Sequence, residues 1–382
     1  MAAGRPASHS NRQPTVVSLL VCGGLFLEEI KGREARIGGS GFTAAIAAAR
    51  YGAEVTLAGW IGSADACEAF AILDAAGVDR RGVLLLDGAT TRYRISDPID
   101  LAMPEPSVTI GAVPCGRSPA LPSAPVVLCF GTPGFDAIRS GWLDRAAEGA
   151  VLLFDRQGSH SMVGGAEMAA TVPAAQRILL GNAHEVIADN TVVDLTSALE
   201  ALPPTSFELA LVKTGAWGVI GVGPEAGDER GFGAFDVPVR STIGSGDVFA
   251  GVVSALVAQG TSVLDAVPEA VAAAGAWIAS DAEVPPTGLH HRAAELVANG
   301  AATWVDRRIL ERQRFMARFD DDVPLHTREQ ITRALEHLGM AMVPHDGKSV
   351  VTLNLRGLHC GHVTEAVMRA IQWARDTFGK QT

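Results

Sequence analysis

Aromatic residues are scarce in this 382-residue chain, at 5% of the total, and charged residues reach only 19%. No apolar run approaches the roughly 18 residues that a membrane-spanning helix needs. Cysteine is sparse as well: Cys22, Cys67, Cys115, Cys129 and Cys360 are scattered and form no CxxC pair. That argues against a disulfide framework and against a CxxC-type metal site. It suits small buried hydrophobes in a reducing, cytoplasmic setting. Positive charge is in deficit, with 31 Lys and Arg against 42 Asp and Glu and a formal net charge of −11. Such a balance speaks against nucleic acid as a partner, while leaving room for a small anion held by a few local cations. The composition excludes a disordered chain, a coiled coil and a collagen, and there is no internal repeat and no low-complexity stretch.

What the chain does have is glycine, 42 of them, in a background that is 48% hydrophobic. This combination suits an α/β protein with many tight strand–helix turns. At about 150 residues per domain, the length suggests two units, or one large one with an appendage. Residues 1–14 read as a disordered tail. Arg5 and Arg12 precede the apolar stretch 15–27 (TVVSLLVCGGLFL), which shares the outline of a secretory signal. No A-x-A site follows it, and Val21 before Cys22 is too bulky for a lipoprotein site, so the stretch reads as a buried first strand ending at Gly23-Gly24.

Strand and helix signals then alternate. Residues 38–53 open with GGSG and continue as an Ala-rich helix stopped at Gly52. Residues 54–60 read as a strand and 66–76 as a helix closed by Gly77. Short apolar runs at 126–130, 151–154, 177–180 and 209–212 have the character of strands buried on both faces. The expected assembly is a mostly parallel sheet with helices on both faces. Residues 83–113 break the rhythm, with strand-like segments at 84–86, 92–96 and 108–113, and read as a small β-lid. From about residue 301 the composition changes. Residues 303–319 read as an Arg-rich helix, Thr327-x-x-Gln330 as a capping box, and 340–343 and 350–355 as strands around a His345-Asp346-Gly347 turn. This extension, 301–382, reads as a small α/β unit with a packing or oligomerisation role.

The most informative segment is 241–256, STIGSGDVFAGVVSAL. Gly244, Ser245 and Gly246 are small residues directly before an apolar helix, where backbone N–H groups can receive anionic oxygens. Asp247 in the first turn could accept a hydroxyl proton beside that anion site. Taken alone, the segment fits an ordinary Asp that stabilises the helix dipole somewhat better, because Gly-rich turns before helices are common. Gly39-x-Gly41-x-x-Ala44 matches a dinucleotide fingerprint. However, residues 31–37 (KGREARI) are no hydrophobic strand, and the strand at 54–60 carries no terminal acid for a ribose. His359-Cys360-x-His362 crowds three ligand types together without a remote partner, and reads as a helix-entry turn.

Four segments together resemble the PfkB, ribokinase-like family of carbohydrate and nucleoside kinases, over roughly residues 15–290. STIGSGD is similar to the family signature DTxGAGD, and residues 38–62 to the GG-x-G-x-N helix, strand and G-x-x-G that form its N-terminal signature. Asn182-Ala183-His184-Glu185 matches N-x-x-E, and residues 211–218 (LVKTGAWG) the strand before the nucleotide loop. The resemblance implies a Rossmann-like α/β domain with a β-lid and ATP-dependent phosphoryl transfer to a hydroxyl of a sugar or sugar derivative. The alternatives are a nucleoside acceptor and a catalytically inactive sugar-sensing relative. It implies that Asp247 is the base and that Gly244, Ser245 and Gly246 complete the anion hole. Asn182 and Glu185 would act on Mg²⁺. Lys213, Gly215, Thr242 and Ala272 would lie along the ATP, with the helix at 271–280 and the loop at 283–287 bordering the adenine.

Acceptor contacts are expected from Glu28, Gly39 and Thr43, and from Arg92 in the lid, where some relatives hold the phosphate of a sugar phosphate. This end departs from the family: Glu28 stands for an Asp, Thr43 for an Asn and Ser241 for the signature Asp, and the acid of G-x-G-D is displaced to Asp65. A small sugar-like acceptor is the expected partner, with no nucleic acid, no membrane and a possible homodimer through the lid or the extension.

Overall fold

The computed structural model describes residues 18–30, 33–95, 107–114, 121–132, 147–157, 170–182, 207–215, 218–223, 228–235 and 237–299, the single positions Leu143, Glu185 and Ala226, and three later strands. The expected tail at 1–14 and the His359–His362 cluster lie outside these residues.

Short apolar segments build the central sheet. Its strands are β1 (Ser18–Cys22), β4 (Glu54–Gly62), β5 (Asp79–Leu86), β8 (Val126–Phe130), β9 (Val151–Asp155), β10 (Gln176–Asn182), β11 (Leu209–Lys213), β12 (Val219–Gly223) and β13 (Asp228–Phe232). The order is β13-β12-β11-β10-β9-β8-β1-β4-β5. All neighbours from β5 to β11 run parallel, and β12 and β13 close one edge as an antiparallel pair. Side chains alternate between two cores. Leu19 and Val21 face one, with Leu128 and Leu211, while Leu20 and Cys22 face the other, with Val127, Cys129 and Phe154. Burial on both faces explains why these strands read as continuous apolar runs.

The first core holds the five helices of the described residues: α1 (Ser40–Arg50), α2 (Ala66–Ala76), α3 (Ser245–Ala258), α4 (Val263–Ile278) and α5 (Leu289–Asn299). Gly77 ends α2 in the left-handed conformation, with its N–H on Asp74 and the N–H of Val78 on Leu73. None of these helices is long and apolar enough to cross a membrane.

The lid has a different composition from the one expected. It is a four-stranded sheet of β3 (Arg36–Gly38), β2 (Phe26–Ile30), β6 (Arg92–Ile95) and β7 (Ser107–Thr109) in that order, so two separate insertions contribute. The first strand ends where expected: β1 stops at Cys22, and after the Gly23-Gly24 corner Phe26 begins a lid strand. Leu84, Leu85 and Leu86 are not lid residues. They pair in parallel with Trp60, Ile61 and Gly62 at the edge of the central sheet.

In the extension, Arg314–Arg318 forms β14, against the helix expected over 303–319. It pairs antiparallel with β16 (Val350–Asn354), which also pairs with β15 (Ala341–His345). Sheet pairing overrides the helical preference of an Arg-rich segment here.

Helix α3 lies against α1 with backbone in contact. A Cβ at Gly251 would stand 2.3 Å from the Ala44 carbonyl oxygen and 2.9 Å from its Cα. Helix propensity alone favours Ala over Gly by up to about 1 kcal/mol. Overpacking against backbone costs about 1–3 kcal/mol, and dominates here. Gly251→Ala therefore lowers stability in urea or thermal unfolding, whereas substitution at Gly288, where a Cβ meets nothing within 4 Å, leaves it unchanged from steric causes.

Candidate active site

Many of the predicted residues converge at the C-terminal ends of the parallel strands, the usual ligand edge of an open α/β sheet. A cleft of about 160 Å³ lies under the lid, lined by Phe26, Glu28, Tyr93 and Ile95 from the lid, Gly39 and Ser40 from the start of α1, Gln157 after β9, and Ile243, Gly244 and Asp247 at the start of α3.

The turn into α3 is made by Gly244 at φ +76°, a left-handed conformation that favours glycine. The Trp277 indole, reaching from α4, donates to the Ile243 carbonyl at 2.7 Å and fixes this turn. The N–H and hydroxyl of Ser245 both bond to the Thr242 carbonyl. The helix has no side-chain cap, so among the described residues the amides of Gly246 and Asp247 are its first-turn donors facing outward. Thr43 also borders this turn, its methyl 3.4 Å from where a Cβ on Gly244 would lie.

The carboxylate of Asp247 belongs to a polar chain. Ser40 donates to Gln157 Oε1 at 2.7 Å, and Gln157 Nε2 lies 3.5 Å from Asp247 Oδ1. Burial pushes the Asp247 carboxyl up to about 7, aided by Asp155 and Glu28 and opposed by Lys213 and a hydrogen bond with Ser40. Burial likewise raises the Tyr93 hydroxyl, together with the charges of Asp247 and Glu28.

Glu28 is buried and bound within the protein. Its Oε2 accepts from Arg36 Nε at 3.0 Å and Nη2 at 2.8 Å, and its Oε1 accepts from the Gly39 N–H at 3.0 Å. Gly39 takes φ +101°, and a Cβ at Gly38 would fall 2.3 Å from the Glu28 carboxyl carbon, so the Gly-Gly pair makes room for this contact. Arg36 also donates to the Glu283 carbonyl at 3.2 Å, tying the lid to the loop after α4.

Two expected site residues stand elsewhere. Arg92 does not line the cleft. In β6 it alternates with Tyr93 and Ile95, which do, and it pairs with Glu29 on the opposite face, as does Arg94 at 2.7 Å. Ala272 is fully buried within α4 and does not line the cleft. Gly215, at φ +62°, is exposed in the turn between β11 and β12. Asn182, at the end of β10, gives its N–H and side-chain nitrogen to the Glu185 carboxylate at 2.7 and 3.2 Å.

Lys213 is buried rather than facing an open nucleotide groove. Its Nζ donates to both oxygens of Asp155, at 2.9 and 2.7 Å, and a Cβ on Gly246 would lie 3.2 Å from it. Burial pushes the Asp155 carboxyl up to about 6, with Lys213 opposing and Glu185 adding. Burial works against the Lys213 ammonium too, but Asp155, Glu185 and Asp247 outweigh it and hold it charged. Asp155 and Gln157 were not anticipated from sequence. The signal available was the polar Asp-Arg-Gln triplet standing at the end of an otherwise apolar strand.

No family model and no curated protein sequence matches this chain. Solved structures do. A ribokinase from Cryptococcus neoformans var. grubii serotype A in complex with ADP is 22% identical, over 73% of this chain and 99% of that one, with a TM-score of 0.59. An adenosine kinase from Sinorhizobium meliloti is 18% identical, over 73% and 99%, at 0.58. A fructokinase with bound ATP from Xylella fastidiosa is 18% identical, over 74% and 98%, at 0.58. The fold of this chain is the ribokinase-like fold.

The raised carboxyl of Asp247 has a signature in stability. An unfolded Asp loses its proton near 3.8, the folded one near 7. Below that window both states are protonated and the side chain is neutral in its effect. As pH rises through it, the unfolded chain releases a proton that the native state keeps, and native stability falls. Asp247→Asn avoids this loss. Its melting temperature exceeds that of the wild type by roughly 2–4 °C or more at pH 8, and the gap narrows toward pH 5. A gap that is constant over that range contradicts the assignment.

Proposed function

We propose that this chain is a kinase that moves the terminal phosphoryl group of ATP to a hydroxyl of a small sugar, sugar derivative or nucleoside. The observation that carries the reading is the placement of Asp247 beside the uncapped N-terminus of α3, at the floor of a lidded cleft.

The chemistry follows from that placement. The acceptor lies under the lid, against Phe26, Tyr93 and Ile95, with its hydroxyl toward Asp247. Ionised Asp247 takes the hydroxyl proton as the new O–P bond forms and the bond to the departing ADP oxygen breaks. The amides of Gly246 and Asp247 and the dipole of α3 face the negative charge of the moving phosphoryl group. Ser40 and Gln157 hold the carboxylate in place through their hydrogen bonds.

The residues present also fit Mg²⁺. Asn182 and Glu185 are oxygen donors at the same sheet edge, and no group of three His, Cys, Asp or Glu among the described residues could enclose a metal. This suits a hydrated ion held chiefly by phosphate oxygens. Glu185 and Asn182 would orient its waters, and the bound ion would supply charge neutralisation at the phosphates.

The acceptor end is less sugar-like than in a simple carbohydrate kinase. Glu28 is already held by Arg36 and Gly39, so the other polar side chains in the cleft lining that could grip hydroxyls are Ser40, Tyr93, Gln157 and Asp247. A phosphotransfer screen over polyols, sugars and nucleosides with ATP tests the function. With the acceptor so identified, Asp247→Asn keeps ATP affinity and loses turnover by about 10²–10⁴-fold. For the wild type, kcat rises with pH along an acid limb centred near 7, where Asp247 ionises. Near-normal turnover by Asp247→Asn would overturn the assignment.

A further inference from the structure

Lys213 and Asp155 form a fully internal ion pair at the ends of β11 and β9, with the side chains 8% and 0% exposed. The ammonium lies directly beneath the first turn of α3, where a Cβ on Gly246 would meet Lys213 Nζ at 3.2 Å. This is an unfavourable place for a cation, because the N-terminus of a helix is already its positive end. A core designed for stability alone gains little from such a buried pair over apolar residues of the same shape. The cation adds instead to the positive potential at the point where Asp247 and the outward amides meet.

We infer that Lys213, locked in place by Asp155, is a positioning residue that sets the proton affinity of Asp247 by its fixed charge and deepens the anion site of α3 from below. Both its close contacts are internal, so it acts through Asp247 and the helix turn rather than by gripping a substrate. The groups facing Asp247 from the surrounding elements are Asp155 at the end of β9 and Gln157 after it, Lys213 of β11, Ser40 of α1, and Glu28 and Tyr93 of the lid. Glu185 acts one step removed, through Asp155 and Lys213. Glu28 carries its own counterion in Arg36, which leaves the Lys213–Asp155 pair as the charge control on Asp247. In the intact pair the two charges oppose one another, so the effect of Lys213 emerges when Asp155 is neutralised.

The inference rests on the proposed phosphoryl transfer for its chemical purpose, but its test does not need turnover. The full chain is labelled with ¹³C at the aspartate carboxyl carbons, and the Asp247 resonance is identified by its loss in Asp247→Asn. Its midpoint is then followed against pH in Asp155→Asn and in Asp155→Asn/Lys213→Met. Asn keeps one oxygen toward the ammonium. The double variant removes both charges. If Lys213 acts as inferred, the midpoint in Asp155→Asn lies below that in the double variant by about one pH unit or more, the size expected of a buried unit charge nearby. Where Asn at 155 is not tolerated by the fold, Asp155→Ser with and without Lys213→Met gives the same comparison. Coincident midpoints overturn the inference. A protein without phosphotransferase activity overturns the proposed function instead, so the two failures are distinct.

Discussion

Backbone contact between two helices sets the geometry of the cleft. Gly251 of α3 sits against the Ala44 carbonyl of α1, and Gly41 at the start of α1 sits against the backbone of Gly23 just after β1. A methyl group at either glycine would fall within 3 Å of main-chain atoms that cannot swing away. These contacts hold the N-termini of α1 and α3 side by side at one edge of the sheet. Ser40 and Gly39 thereby meet Gly244 and Asp247, and Trp277 clamps the intervening turn through Ile243. The small, Ala- and Gly-rich character of both helices is a requirement of this approach, and the residues that line the cleft inherit their spacing from it.

Charge is distributed around the cleft in closed pairs. Glu28 is held by Arg36, Asp155 by Lys213, and on the outer face of the lid Glu29 by Arg92 and Arg94. Asp247 is the cleft carboxylate for which, among the described residues, no ion pair is formed. Neutral Ser40 and Gln157 hold it instead. A buried carboxylate without a counterion keeps its proton to higher pH, which brings it near neutrality, where a proton acceptor is effective. The arrangement therefore separates the ion-paired carboxylates around the cleft from Asp247, which the proposed function makes the proton acceptor.

Local pattern carried much of this into the sequence. The strands at 126–130, 151–154 and 209–212 were legible as apolar runs, and Gly77 and Gly52 as helix stops. The segment 241–247 was legible as a helix start with an acidic first turn. The lid was harder, because its sheet joins 26–38 with 92–109 and no local rule pairs segments so far apart. Strand alternation could have separated Tyr93 from Arg92: one face of β6 meets the cleft and the other meets Glu29. Lys213 and Asp155 lie 58 residues apart and become partners through the order of β9, β10 and β11. Ala272 illustrates the same limit: proximity in sequence to a proposed adenine border does not decide which side of a helix is buried.

The central claim is that phosphoryl transfer occurs at the N-terminus of α3 beside Asp247. A crystal structure with ADP, magnesium and aluminium fluoride tests it most directly. The account predicts the fluoride group within about 2.7–3.2 Å of the Gly246 and Asp247 amides, with the Asp247 carboxylate facing its open side under the lid. Nucleotide bound with its phosphates away from this turn, or no binding at millimolar concentration, would contradict it.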